Sequence, residues 1–389
     1  MRLARWWWLG AAFVIGLAVT LGVFVLIRRS VTDEASAVPT LVVAENACGQ
    51  GWTDRKPGAQ TLILHNTDSV AADAQLIDVT TGKVLIDVEG IGSGAVVPVG
   101  VIVGGGQYAL RCVFDELGAV TGPTVRIAGP AGPAGVAPVT RADLIVPVQA
   151  YQASVVAGTA PLVADVAALQ TAVRSGDRAA ARQTWLPAML DYQRLGAAYG
   201  AFGDLDAAID RTPDGLPGGV HDPHFTGLRR LEYGLWHDQP MTELVPVADA
   251  LSASVTTLRE QVQDLPVDGL DLTRRVHEIL EDTERFELTG DSDQGSGSSL
   301  AIARAQVQAT QLALKPLLPL LVTRYPALLQ VDPALRRLAA DLDATDHAGA
   351  WTPVQALDHA QRQQINADTG HAVELLAPIA VICEPRRTS

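Results

Sequence analysis

Residues 128–138 read AGPAGPAGVAP, and the spacing of apolar residues differs on the two sides of them. The run is rich in Pro and Gly but lacks the sustained three-residue repeat of a triple helix, so it marks a boundary between domains. Upstream, from 38 to 128, short β-branched runs recur: TLVVAEN (40–46), QTLILHN (60–66), AQLIDV (74–79), KVLIDVEG (83–90), AVVPVGVIV (95–103), QYALRCVF (107–114) and PTVRIAG (123–129). Turn signals such as Thr81-Gly82 and Gly104-Gly105-Gly106 part them, and the pattern predicts a small β-sandwich. Downstream the period changes from two to about 3.6. Ala/Leu-rich segments lie near 143–174, 177–201, 226–237, 241–263, 268–288, 299–324, 332–343 and 353–379, with breaks at Pro213, Pro217, 290–297 and Pro326. They predict an all-α helical bundle over 143–380, with 129–142 as a Pro/Gly/Ala linker. The fold class is multi-domain α+β.

The N-terminus carries a topological signal. Arg2 and Arg5 precede three tryptophans at 6–8, an uncharged apolar run occupies 9–27, and Arg28 and Arg29 follow. At 1.5 Å per residue the apolar run covers about 28 Å, close to the hydrocarbon thickness of a bilayer, and tryptophans suit its interface. A transmembrane helix over 6–27 is expected. The apolar region of a cleavable signal peptide is shorter, and Ala35-Ser36-Ala37 lies beyond two arginines, so an uncleaved anchor is the first reading and cleavage the second. The whole chain, at 389 residues and 48% hydrophobic, is long enough for two domains with substantial cores. With 43 acidic and 29 basic residues the net charge is −14, which repels a phosphate backbone, and no basic stripe is interleaved with aromatics; nucleic acid is excluded as a partner.

Within the helical part, residues 227–236 read GLRRLEYGLW. Positions three apart lie on one helical face, so Arg229 and Glu232 are placed to form an ion pair. A His at 229 would make with Glu232 a metal-binding pair, but a guanidinium stays protonated and has no lone pair to donate. The decapeptide resembles the G-[FL]-H-R-[IV]-E-x-x-L-W segment of the EfeO/imelysin family, extracytoplasmic proteins tied to bacterial iron uptake, with Arg229 at the His position. The similarity continues through YQRLGAAYGAFGDLDAAID (192–210), 277–293 and ALDHAQRQQINADTGHAVELLAPI (356–379). In the family the first of these segments carries two glutamates facing the HxxE pair; here Gly196 and Gly200 stand in their places, while Arg194, Phe202, Gly203, Asp204, Leu205, Asp206 and Asp210 are kept.

The resemblance implies an imelysin-type bundle preceded by a cupredoxin-like β-sandwich, whose CGxGW (48–52) and YALRC (108–112) elements are similar to the family's N-terminal domain. It also implies a single-pass cell-membrane protein with its bulk outside the cytoplasm, consistent with Asp33 and Glu34 after the span, and partners such as an iron permease and a haem-type peroxidase. The function the resemblance implies is that of a membrane-anchored extracytoplasmic accessory, substrate-capture protein of an iron uptake system, with iron or another divalent cation as ligand and the usual site largely dismantled. A non-metal-binding structural or interaction module on the same scaffold is the alternative.

Type 1 copper is excluded by ligand count, because 38–128 contains one His, His65, and no Met. Cys48 and Cys112 are suited to a disulfide in an oxidising compartment, with a Cys/Cys metal site completed by His65 or Asp115 as the alternative. His277 and Glu281, at i and i+4 in VHEILEDTERFEL, can share a helical face as metal ligands, and the family resemblance implies Glu232 nearby as a third member. Asp204, Asp206 and Asp210 lack the Gly and terminal Glu of a calcium loop and read as carboxylates at a helix end. His221 and His224 are further candidate ligands from the preceding loop, and Cys383 is left either free or paired between chains. Neither HExxH nor GxSxG occurs, and no Cys/His nucleophile pair is set up, so no enzymatic activity is expected.

Overall fold

The computed structural model describes residues 38–52, 56–115 and 118–387. The anchor expected over 6–27 lies outside them. The chain divides into two compact units between Val136 and Ala137.

The first unit is built of two sheets. In one, β1 (Thr40–Val43) runs parallel to β2 (Gly58–Asn66), and β5 (Val96–Val103) pairs antiparallel with β2 on the other side. In the other, β3 (Ala72–Asp78) lies between β4 (Val84–Ile91) and β6 (Gly106–Phe114), while β7 (Gly118–Thr121) and β8 (Val125–Ile127) pair with opposite ends of β6. Alternate residues point inward, as a two-residue period requires. Leu62 and Leu64 of β2, Val101 and Val103 of β5, Leu76 of β3 and Leu110 and Phe114 of β6 close one shared core.

Cys48, in the loop after β1, is bonded to Cys112 on β6, with S–S 2.11 Å and Cα atoms 6.0 Å apart. Both are buried. The bond uses both thiols and so overturns the alternative of a Cys/Cys metal site with His65 or Asp115. The Pro/Gly/Ala stretch is not a free spacer along its whole length: Val136 and Val84 exchange backbone hydrogen bonds of 2.8 Å each, and Gly105 donates to the Pro130 carbonyl. Gly132 approaches Gly104 so closely that a Cβ on Gly104 would lie 1.8 Å from the Gly132 nitrogen.

The second unit is helical. Its long elements are α1 (Arg141–Ser175), α2 (Arg178–Gln193), α3 (Asp204–Asp210), α4 (Gly227–Trp236), α5 (Met241–Gln261), α6 (Gly269–Asp282), α7 (Ser299–Leu314), α8 (Leu328–Asp343) and α9 (His359–Ile382). α1 starts on a reciprocal capping box between Thr140 and Asp143 and stops at Gly176 in the left-handed region. By length and composition α1 is the one helix among the described residues able to cross a membrane, but it packs on α2 and α5 as part of the bundle. Trp185, Tyr151, Tyr192, Leu162, Leu169 and Met189 fill the centre.

Periodicity located most of these helices and misplaced some ends. The helix expected over 177–201 ends at Gln193, and single turns follow at Gly196–Ala198 and Tyr199–Phe202. The segment 268–288 is α-helical only to Asp282, after which Thr283–Glu287 forms a π turn. Asp204 and Asp206 stand in the first turn of α3, where carboxylates favour the positive end of the helix dipole.

Reducing the disulfide, or replacing Cys48 and Cys112 by Ser, is expected to destabilise the β unit by roughly 4 kcal/mol through loop closure. Urea denaturation with and without reductant measures it, and coincident curves would show that the crosslink does not constrain the unfolded chain.

Candidate functional site

α4 is gripped at both ends. At its start Gly227 has φ 76°, and a Cβ there would lie 2.2 Å from the Ile209 carbonyl, so only glycine lets the helix begin against the end of α3. At its other end the orphan carbonyls are capped from α2: Arg178 Nη1 donates to Gly234 O (3.2 Å) and Leu235 O (3.1 Å), and Arg182 Nη2 to Leu235 O (2.7 Å). Between them Trp185 Nε1 donates to the Leu228 carbonyl at 2.9 Å. These contacts turn Arg229 and Glu232 inward.

Arg229 is 2% exposed and sits among three carboxylates. Its Nη2 donates to Glu287 Oε1 at 2.8 Å, its Nε lies 3.4 Å from Asp210 Oδ1, and its Nη1 lies 3.6 Å from Glu232 Oε2. Nη1 also donates to the Ser292 carbonyl at 3.2 Å. Glu232 is fully buried, and its Oε1 accepts from Gln294 N (3.0 Å), Ser296 N (3.3 Å) and Ser296 Oγ (2.6 Å), all from the loop 290–298. The far oxygen of Asp210 accepts from Gln193 Nε2 at 2.7 Å. Gln193 Oε1 in turn accepts from Gln306 Nε2 at 3.0 Å, and Gln306 Oε1 from the Thr283 hydroxyl at 2.8 Å. Glu287 comes from the π turn, which ends on it.

One guanidinium cannot neutralise three buried carboxylates, so the cluster holds protons. Burial pushes Asp210 and Glu232 up to about 7, against the opposing pull of Arg229. Burial alone would lower the guanidinium, but Glu287, Asp210 and Glu232 outweigh it and keep Arg229 charged. Asp210 Oδ1, Glu232 Oε2 and Glu287 Oε2 receive no hydrogen bond, although each carboxylate lies within ion-pair distance of the guanidinium.

The expected triad of Glu232, His277 and Glu281 is not brought together. His277 and Glu281 face each other on α6 at 3.9 Å, with side chains 16% and 52% exposed, while every polar partner of Glu232 comes from α4 or the loop 290–298. Among the described residues no group of three or more His, Cys, Asp or Glu is arranged to hold a metal. His221 and His224 are exposed in the loop before α4, and Cys383 is buried and free, its thiol pushed up to about 11 by burial. Gly196 faces the apolar side chains of Ile279 and Ala309, and Gly200 faces Asp271 across an open cleft of about 430 Å³. A metal does not fit the α4 position as it stands, since a permanent cation fills it.

Sequence reasoning found Arg229 and Glu232 and missed Asp210 and Glu287 as their partners. The signal for Glu287 was its place on the apolar stripe Leu272, Val276, Leu280, Thr283, all buried.

Arg229→Met keeps much of the volume and strips the charge, leaving buried carboxylates uncompensated. A loss of about 3–5 kcal/mol in the helical unit is expected by chemical denaturation, whereas a loss below about 1 kcal/mol, the range of an exposed pair, would mean that the network is solvated. Asp210 and Glu232 bind protons more tightly folded (about 7) than at their ordinary values of 3.8 and 4.5. Their contribution to stability is therefore full below the ordinary carboxylate range and is lost as pH rises through about 7. The urea midpoint of the helical unit should fall between about pH 5 and about pH 8, and Asp210→Asn with Glu232→Gln should flatten that fall.

The pattern of the imelysin family, Peptidase_M75, matches residues 147–378. Proteins named "Iron uptake system component EfeO" are similar over 182 residues: that of Escherichia coli O1:K1 / APEC at 30% identity, and those of Escherichia coli K12 and Shigella flexneri at 29%. The match covers 47% of this chain and 48% of each relative, so the chain spans about half the length of the curated relatives it matches. With the family pattern spanning the bundle from α1 to α9, the chain belongs to the imelysin family.

Proposed function

We propose that this chain is a membrane-anchored, extracytoplasmic accessory component of an iron uptake system, in which the helical unit acts as a structural or interaction module and not by capturing iron at α4. The relatives' printed name supports the system, and the apolar run 9–27 supports the anchor. The observation that carries the non-capturing role is the Arg229 guanidinium, enclosed by Asp210, Glu232 and Glu287 where the HxxE pair of the resembling family would hold its ion. A carrier must release its cargo, and a side chain cannot leave.

The β unit fits the same role. A cupredoxin-like sandwich over 38–128 without a blue-copper ligand set, with its two cysteines joined, has shape to offer a partner but no redox centre of that type. An iron permease and a haem-type peroxidase are the partners the family resemblance brings. Catalysis is not part of the proposal: a zinc hydrolase needs three protein ligands and an open water position, and the α4 site offers a cation already paired.

The purified full chain, titrated with Fe(II) without oxygen and with Fe(III), should show no one-to-one binding at micromolar metal, and removing the protein from cells should lower iron uptake. Micromolar iron binding that Glu232→Gln abolishes without changing the melting curve would overturn the non-capturing role, and unchanged uptake would overturn the place in iron transport.

A further inference from the structure

Among the described residues of the helical unit seven large apolar side chains are exposed, and five of them sit on three segments that meet at one end of it. Ile145 and Val146 lie in the first turns of α1, Leu318 and Val322 on and just after the helical turn Leu318–Leu321, and Val381 one residue before the end of α9. The segments are tied together beside residues 137–139. Arg324 Nε donates to the Ala137 carbonyl at 3.1 Å and its Nη2 to the Pro138 carbonyl at 3.2 Å, while the Arg386 amide donates to the Val139 carbonyl at 2.7 Å. The turn Lys315–Leu317 packs on α1. Val146 and Val322 remain 71% and 70% exposed, so neither serves to pack the bundle. Single exposed apolar side chains are ordinary, but a gathering of them rimmed by charge marks a binding face.

The rim is basic although the chain is acidic. These segments carry Arg141, Lys315, Arg324, Arg386 and Arg387 against Asp143 and Glu384, in a chain whose net charge is −14. Arg141 is the first residue of α1, where the helix dipole disfavours a cation, so helix stability does not account for it.

We propose that this end of the helical unit docks on an anionic lipid surface, its exposed apolar side chains entering the boundary between headgroups and acyl chains and its basic side chains lying among the phosphates. Apolar area and attraction to anionic lipid act together in such docking, and Arg and Lys reach the headgroups while their stems lie lower. Charge decides against the other occupants. A second copy of the chain would set basic rim against basic rim, and a purely apolar partner would leave the rim without counter-charge. The inference rests on the membrane-anchored reading above and adds which face of the helical unit meets the bilayer.

The test uses the full chain with Val322→Cys carrying a polarity-sensitive fluorophore; Cys48 and Cys112 are bonded to each other and Cys383 is buried, so the introduced thiol takes the label. Thr171→Cys, exposed and about 38 Å along α1 from Val146, is the control. In phosphatidylcholine vesicles with about one-third phosphatidylglycerol, brominated lipid should quench the label at 322 at least about twice as strongly as the label at 171. That excess should fall by at least about half in pure phosphatidylcholine and at about 0.5 M salt, where the attraction is screened. Val146→Asp with Val381→Asp should abolish it and leave the melting temperature unchanged, because both sites are exposed. Equal quenching at the two positions, or an excess that pure phosphatidylcholine supports as well, would overturn the docking. So would a label at 322 that becomes buried with rising protein concentration in lipid-free detergent, which would give the face to a second copy. A carbonate wash separates this from the anchor. A chain stripped by the wash, but quenched at 322 before it, loses the anchor and keeps the docking; a chain that survives the wash with equal quenching keeps the anchor and loses the docking; a chain that never joins the vesicles loses both.

Discussion

A buried positive charge with no route to solvent must be met by negative charge, and in this protein the obligation falls on the guanidinium of Arg229. Three carboxylates answer it, and several features of the helical unit serve to place them. Gly227 lets α4 start against the end of α3, which brings Asp210 within reach. The π turn Thr283–Glu287 adds a residue to the helical circuit and delivers Glu287 at its end. The loop 290–298 gives three donors to Glu232 and one carbonyl to Arg229. Two arginines of α2, capping the last carbonyls of α4, keep the helix from fraying away from the cluster. An excess of acid over base in such a place is tolerable only because protons make up the difference, which is why Asp210 and Glu232 titrate near neutrality.

In both units side chains of metal-ligating type are held by the chain's own groups. In the β unit the sulfur pair, a candidate metal ligand set by type, is a covalent bridge between the loop after β1 and β6. In the helical unit a carboxylate cluster holds a guanidinium. Each arrangement is closed within the chain, sulfur to sulfur in one unit and carboxylate to guanidinium in the other. Membership of the imelysin family therefore describes the scaffold more fully than the chemistry at α4.

Much of the architecture was legible along the chain because hydrophobic period is a local property. Alternation over 40–127 and the 3.6-residue pattern beyond 141 separated strands from helices, and Arg229 and Glu232 showed themselves as neighbours one turn apart. What stayed hidden depends on distant segments. Asp210 and Glu287 meet Arg229 only through the packing of α3, α4 and the π turn, which no local spacing records. His277 and Glu281 were read from the right spacing, but they face each other at the bundle surface, because a shared helical face says nothing about what lies opposite it. The second helix stops at Gln193, and Gly196 and Gly200 fall within the short turns that follow, a break that periodicity does not register.

The glutamine pair behind Asp210 has a polarity. When Asp210 is ionised its carboxylate only accepts, so the Gln193 amide turns its nitrogen toward Asp210 and its oxygen toward Gln306, which in turn presents its oxygen to the Thr283 hydroxyl. Thr283 is the first residue of the turn that ends at Glu287. Asp210 is thus joined to the first residue of the turn that carries Glu287 by a one-way row of dipoles, and the orientation of that row is set by the carboxylate end that only accepts.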